Sequence, residues 1–235
     1  MTVAAVTVLV CTYNDESTIA DSLQSVLAQT APPSRYKIIV VDDGSTDATR
    51  WILDSYRDHI DIVQLPNNQG LVAACNAGLA RIKTRSFVRF DTDDRFDPEL
   101  IASLLACRDS TGADLVYTDR YEELPSGRRT VRRLASPPQI NDLIAAGALL
   151  PTALVQELGG YRDLFWEEID LYMRLLSTNR CRLGHIARPL YVYRVQKPDQ
   201  MTADEAALEA GWQQLREMWP GASFLRTSDQ APSAT

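Results

Sequence analysis

The chain has 235 residues, 45% hydrophobic and 23% charged, with a net charge of −7. That balance excludes disordered, collagen-like and disulfide-scaffold proteins, and the length supports one domain with additions and a core that needs no staples. The acidic excess argues against a nucleic-acid partner, and a polyanionic ligand would need a metal ion or local cations to bind.

Residues 6–10, a β-branched run, read as a buried strand, and residues 17–29 place Ile19, Leu23, Val26 and Leu27 on one helical face. A strand at 36–41, a helix at 46–56 capped by Ser45 or Thr46, and a strand at 60–65 follow. Next come a small-residue helix at 71–82 opened by Gly70, a strand at 87–90, a helix at 98–107 with Pro98 in its first turn, and a strand at 114–118. Strands alternating with helices predict an α/β fold with a mostly parallel sheet flanked by helices.

The second half is less regular. An exposed strand is expected at 128–133, helices at 141–146, 151–158 and 168–177, a short strand at 190–195 and a helix at 203–219. In that last helix Leu208, Trp212, Leu215 and Trp219 form a stripe that reads as core packing rather than a membrane or partner face. With no linker or repeat, residues 1–226 read as one domain. Its nucleotide-binding half covers about 1–120 and its acceptor-side half about 121–226, and 227–235 form a loose tail.

Cys11, Cys75, Cys107 and Cys181 show no C-x-x-C spacing, and the chain has two histidines, His59 and His185. Zinc is therefore not expected, and Cys11, Cys75 and Cys107, among apolar neighbours, read as buried free thiols in a reducing compartment. His185, beside Ile186, reads as packed rather than catalytic. With no leader-like N-terminus and no 18-residue apolar run, a cytoplasmic protein without a transmembrane segment is expected, peripheral membrane contact staying open.

In parallel α/β sheets, ligands sit at the carboxyl ends of strands. Here those ends read Cys11-Thr12-Tyr13-Asn14, Asp42-Asp43-Gly44-Ser45, Asn67-Asn68-Gln69-Gly70 and Asp91-Thr92-Asp93-Asp94. Asp42, Asp43, Asp91, Asp93 and Asp94 on one edge would repel, which raises their pKa values or calls for a cation. Aspartates two apart suit a hard metal that phosphate oxygens share. Each piece alone also reads as a turn or a cap; the combination in order is what points to a site.

These pieces, with Val8 to Asn14, Val40 to Asp47, Asn68-Gln69-Gly70, Phe90 to Asp94 and Trp166-Glu167-Glu168-Ile169-Asp170-Leu171, resemble a family 2 glycosyltransferase of the GT-A fold, from about residue 6 to 202. The resemblance implies an inverting transferase that moves a sugar from a nucleotide-diphosphate donor, a UDP-sugar, to a saccharide, lipid-linked or small-molecule acceptor. It implies Mn²⁺ or Mg²⁺ as cofactor. Cys11, Thr12 and Tyr13 would cradle the base, and Asp43 would accept from the uracil N3–H. Asn68, Gly70, Asp91 and Thr92 would complete the nucleotide site. Asp93 would ligate the metal and Glu168 would act as general base, with Asp94, Glu167 and Asp170 in the surrounding acid cluster.

The chemistry agrees with those roles: a leaving diphosphate needs its charge offset, and an acceptor hydroxyl needs a carboxylate to take its proton. Direct attack on C1 inverts the anomeric centre. The chain departs from relatives in having Cys75 where many carry arginine or lysine, and Gln196 where many carry histidine. Arg194, Gln196 and Lys197 are the residues expected to meet the diphosphate or form a lid over it. A phosphatase of the haloacid dehalogenase type and a receiver domain fail on the strand that carries the motif. The rival reading is a GT-A-like domain that has lost activity and binds a nucleotide or a partner.

Overall fold

A computed structural model describes residues 4–136, 146–195 and 204–220. β1 (Val6–Thr12) is buried at every position and pairs in parallel with β2 (Tyr36–Asp42) on one side and β4 (Ser86–Asp91) on the other. β3 (Asp61–Gln64) extends the parallel run beyond β2. The other strands are β5 (Arg95–Phe96), β6 (Leu115–Glu123), β7 (Arg129–Arg132), β8 (Leu149–Pro151) and β9 (Leu183–Arg194). Among the described residues the sheet runs β3-β2-β1-β4-β8-β6-β9-β5, with β7 on β6.

The period of two divides the strands between two cores. Val6, Val8 and Val10 of β1, Ile38 and Val40 of β2, and Val88 and Phe90 of β4 face one core. There they meet α1 (Ile19–Leu27) through Ile19, Leu23 and Val26, α2 (Thr49–Asp54) through Leu53, and α4 (Leu100–Thr111) through Leu100, Ile101 and Leu104. Leu9, Cys11, Ile39, Val41 and Phe87 face the other core. It is closed by α3 (Leu71–Leu79), α5 (Thr152–Glu157), α6 (Glu167–Ser177) and Leu215 of α7 (Glu205–Met218). α3 comes close to the sheet because it is built from small residues: a Cβ on Gly78 would stand 2.2 Å from Leu9 Cδ1.

The α/β class is as expected, but the continuous parallel run ends at β4 and the rest of the sheet is mixed. β8 is antiparallel to β4 and β6, β5 is antiparallel to β9, and β9 is parallel to β6. β5 and β8 are too short to leave a periodicity in the sequence. β9 begins well before the expected residue 190, because two register shifts against β6 near Thr118–Arg120 and the imino residue Pro189 interrupt its alternation.

α2 starts at Thr49 because the expected caps are engaged elsewhere. Ser45 N donates to Asp42 Oδ1 (2.9 Å) and Thr46 N to Asn14 Oδ1 (2.8 Å), while Asp47 Oδ1 accepts from Thr49 N (2.9 Å). α4 starts two residues after Pro98, whose neighbour Glu99 donates its amide to Asp97 Oδ1. β7 is exposed throughout, as expected. The predicted helix at 141–146 lies outside the described residues except for Ala146, which bridges Arg89; the tail 227–235 lies wholly outside them.

His185 is packed: Nε2 lies 2.9 Å from Asp119 Oδ1 and the ring stacks on Tyr117. The stripe on α7 also packs, with Leu215 buried, the Trp212 and Trp166 rings 4.9 Å apart, and Trp219 Nε1 donating to Asp170 Oδ1. Among the described residues no helix is long and apolar enough to cross a membrane.

Candidate active site

The carboxyl ends of β1, β2 and β4 and the loop before α3 surround a cleft of about 920 Å³. Cys11, Thr12, Tyr13, Asp43, Asn68, Gly70, Asp91, Thr92 and Asp93 all line it, so residues spread over more than eighty positions meet in one place. The volume falls in the range of pockets that enclose small organic ligands. Tyr13, a residue 41% exposed, offers its ring there.

Backbone amides hold the walls. Asp43, 3% exposed, accepts from Gln69 N through Oδ1 and from Gly70 N through Oδ2, both at 2.8 Å. Asn68 Oδ1 also accepts from Gly70 N (3.0 Å). This draws the 67–70 loop onto the end of β2. Gly44 permits the approach: its φ is +74°, and a Cβ there would lie 2.5 Å from the Asn67 carbonyl carbon.

Asp15, which sequence reasoning passed over, ties the neighbouring ends together. Its Oδ2 accepts from Thr12 Oγ1 (2.7 Å), Thr92 Oγ1 (2.6 Å) and Tyr13 N (3.3 Å). The signal that singles it out is weak in sequence, since Asp15 sits in a loop of polar residues whose partner Thr92 is 77 positions away.

Arg89 is the second residue missed. It points from β4 to the face shared with Phe87, is 4% exposed and lines the cleft. Its Nε and Nη2 reach the two Asp91 carboxylate oxygens at 3.0 and 3.4 Å, and its Nη1 reaches Glu167 Oε1 at 2.7 Å. One guanidinium thus joins the first acid of the Asp91–Asp93 pair to the acid cluster at the start of α6. The readable signal was a charge inside an apolar strand, which needs a buried partner.

Glu168 is half-buried beside Glu167. Burial, and then the charge of Glu167, hold its carboxyl well above the usual carboxylate range, with Arg89 pulling the other way. A carboxylate so placed takes up protons readily, as a general base must. Asp170, by contrast, is fully buried and occupied: Arg174 Nε lies 2.7 Å from Oδ2, and Arg162 Nη1 and Trp219 Nε1 approach Oδ1. It anchors α6 to its surroundings.

Asp94 is 1% exposed, and burial, then the charge of Asp93, push its carboxyl up. Its oxygens accept from the Tyr191 hydroxyl and from Arg194 N, so it fastens β9 to the loop that carries Asp93. The Arg194 guanidinium is engaged with Asp21 (2.8 Å), Glu123 (3.5 Å) and the Asp93 carbonyl (3.4 Å). Gln196 and Lys197, and with them most of the expected lid, lie outside the described residues.

Among the described residues no three His, Cys, Asp or Glu side chains cluster to hold a metal ion by themselves. Asp91 and Asp93 offer hard carboxylate oxygens at the cleft wall. That donor set fits Mg²⁺ or Mn²⁺, which keep water and phosphate oxygens in their coordination shells, and does not fit zinc.

The chain matches known proteins over this same region. The glycosyltransferase AglE of Haloferax volcanii is 29% identical over 138 residues, covering 57% of this chain and 45% of that protein. The crystal structure of S. aureus TarS 1-349 in complex with UDP-GlcNAc superposes with a TM-score of 0.78 at 22% identity, over 91% of this chain and 65% of that one. The mannosyltransferase PcManGT from Pyrobaculum calidifontis, in complex with GDP-Man and Mn²⁺, gives 0.68 at 18% identity, over 92% and 65%. These structures share the GT-A fold with the chain. The chain spans 40% to 45% of the length of three curated relatives that it matches. The family model for Glycosyl transferase family 2 covers residues 7–167, and the chain belongs to that family.

Proposed function

We propose that the chain is an inverting glycosyltransferase that moves a sugar from a UDP-sugar to the hydroxyl of a saccharide, lipid-linked or small-molecule acceptor, with Mn²⁺ or Mg²⁺. The observation that carries this reading is the convergence of three strand ends and the loop before α3, with Tyr13, Asp43, Asp91 and Asp93, on one nucleotide-sized cleft. The UDP-GlcNAc and the GDP-Man with Mn²⁺ bound by the neighbouring structures support it.

In this reading Tyr13 stacks on the base, and Asp43, whose oxygens each retain a lone pair, accepts from the uracil N3–H. Asp93, with Asp91 beside it, would hold the metal, which would supply charge compensation for the leaving diphosphate. Arg89 keeps Asp91 and Glu167 in place. Glu168 takes the acceptor proton as the hydroxyl attacks C1 from the side opposite the diphosphate, so an α-linked donor yields a β product. No second carboxylate is needed as nucleophile.

Calorimetry with UDP and with GDP, each with MnCl₂ or with EDTA, tests the donor side. Metal-dependent UDP binding that Asp93→Asn weakens is expected; equal UDP affinity in EDTA would overturn the metal role, and tighter GDP binding would overturn the base assignment. NMR of the product anomeric proton tests inversion.

A further inference from the structure

We propose that Cys11 and Cys75 are a dithiol site that hydrogen peroxide converts to a disulfide, and that this bond weakens nucleotide binding in the cleft. The covalent part stands on geometry alone; the effect on binding rests on the nucleotide reading above.

The two sulfurs are 3.5 Å apart, in hydrogen-bond contact, although the residues are 64 positions apart in sequence. A disulfide needs them at about 2.05 Å, so they must close by about 1.5 Å. Their surroundings favour that pairing. Cys75 is fully buried on α3, and Cys11 is 9% exposed and lines the cleft. α3, which carries Cys75, seats closely on the sheet, with no room for a Cβ at Gly78 beside Leu9 of β1. Cys107 and Cys181, both half-buried, supply the internal comparison.

The cleft makes Cys11 the sulfur that meets the oxidant. Its thiolate attacks one peroxide oxygen, the O–O bond breaks, and the hydroxide released takes up the thiol proton to become water, leaving a sulfenic acid on Cys11. Cys75 then attacks the Cys11 sulfur, the S–OH bond breaks, and a second water leaves with the Cys75 proton. Two thiols lose two electrons in all, and one peroxide is reduced to two waters. The contact with Cys75 and burial hold the Cys11 thiol neutral, so the first step is slow compared with an exposed thiol.

The bond would reach the cleft through one peptide. Cys11 is followed by Thr12, whose hydroxyl is fixed to Asp15, and Asp15 in turn holds Thr92 in the Asp91–Asp93 loop. Drawing Cys11 towards α3 shifts Thr12 and Tyr13 out of register with that loop. A donor in the cleft covers Cys11 and should shield it.

The test uses the full chain. Folded protein is treated with hydrogen peroxide, capped with iodoacetamide and digested. The expected product is a Cys11–Cys75 cross-linked peptide, two hydrogens lighter than its reduced parts and cleaved by dithiothreitol. Cys75→Ala, and separately Cys75→Ser, should instead leave Cys11 as a sulfenic acid that dimedone traps. Oxidation of Cys107 and Cys181 with Cys11 and Cys75 left reduced would overturn the site. UDP with MnCl₂ should slow cross-linking, and calorimetry should show the disulfide form binding UDP about tenfold more weakly, with recovery on reduction. Equal affinity in both forms would overturn the coupling. Failure of the reduced protein to bind UDP would instead remove the nucleotide reading, while the cross-link still decides the covalent step.

Discussion

Asp42, Asp43 and Asp94 at the strand ends and the acids at the start of α6 are satisfied by different kinds of partner, while Asp91 shares the Arg89 guanidinium with Glu167. Asp42, Asp43 and Asp94 accept from backbone amides of Ser45, Gln69, Gly70 and Arg194, so each one shapes a loop. Glu167 and Asp170 are instead met by guanidinium groups, Arg89 for the first and Arg174 with Arg162 for the second, so each one fixes a helix. Glu168, between them in sequence, has no ion pair among the described residues and is the carboxyl that burial and the charge of Glu167 raise, against the pull of Arg89. Carboxylates of like composition thus divide into loop-shaping, helix-anchoring and proton-accepting groups according to what stands opposite them.

The sharpest way to break this division is Glu168→Gln. Turnover should fall by a factor on the order of 10²–10⁴ with UDP affinity nearly unchanged, which steady-state kinetics and calorimetry together would read. Near-full turnover would move the proton-accepting role to another group.

Removing the cation that both regions share comes next. Arg89→Leu leaves Asp91 and Glu167 without it, and should cost about 3–5 kcal/mol in urea unfolding, as breaking a buried pair does. The double variant with Glu167→Leu should recover part of that loss.

The raised Glu168 carboxyl gives a pH effect of defined sign. The folded chain holds that proton more tightly than the unfolded chain, so its contribution is complete below the ordinary value of about 4.3 and is lost as pH rises through the higher folded value. Wild type should therefore lose stability relative to Glu168→Gln across that rise; parallel stability curves would contradict the raised value.

Smaller effects probe the loop-shaping kind. Asp15→Ala strands two threonine hydroxyls and should cost about 1–3 kcal/mol while weakening UDP binding. Asp204→Ala serves as the remote comparison, because Asp204 Oδ1 accepts from Ala206 N and Ala207 N at an exposed helix start. It should cost about 1 kcal/mol in thermal unfolding and leave UDP binding untouched.

The parallel half was legible in the sequence because β1 and β2 carry continuous apolar runs, and β4 an apolar run interrupted by Arg89, that each stop at polar residues, and those polar residues line the cleft. The mixed half was less so: β5 and β8 are two and three residues long, and β9 changes phase beside β6. Arg89 stayed hidden within the strand reading because its meaning depends on Glu167, 78 positions away. Asp170 looked like a member of a reactive acid cluster until its partner Arg174, one helical turn on, was seen to face it.

Gly44 and Gly127 share a left-handed backbone, with φ of +74° and +77°, yet they constrain variation differently. Nothing lies within 4 Å of a Cβ at Gly127, so a homologue can place asparagine there and meet only the modest cost of that conformation. At Gly44 the same change drives a methylene into the backbone of Asn67 and Asn68 and levers the loop that carries Gly70 off Asp43. A sequence that drifts at 127 keeps its cleft, whereas one that drifts at 44 must rebuild two strand ends at once. Residue 44 is therefore the position at which to sort relatives that retain this cleft geometry from those that share only the surrounding fold.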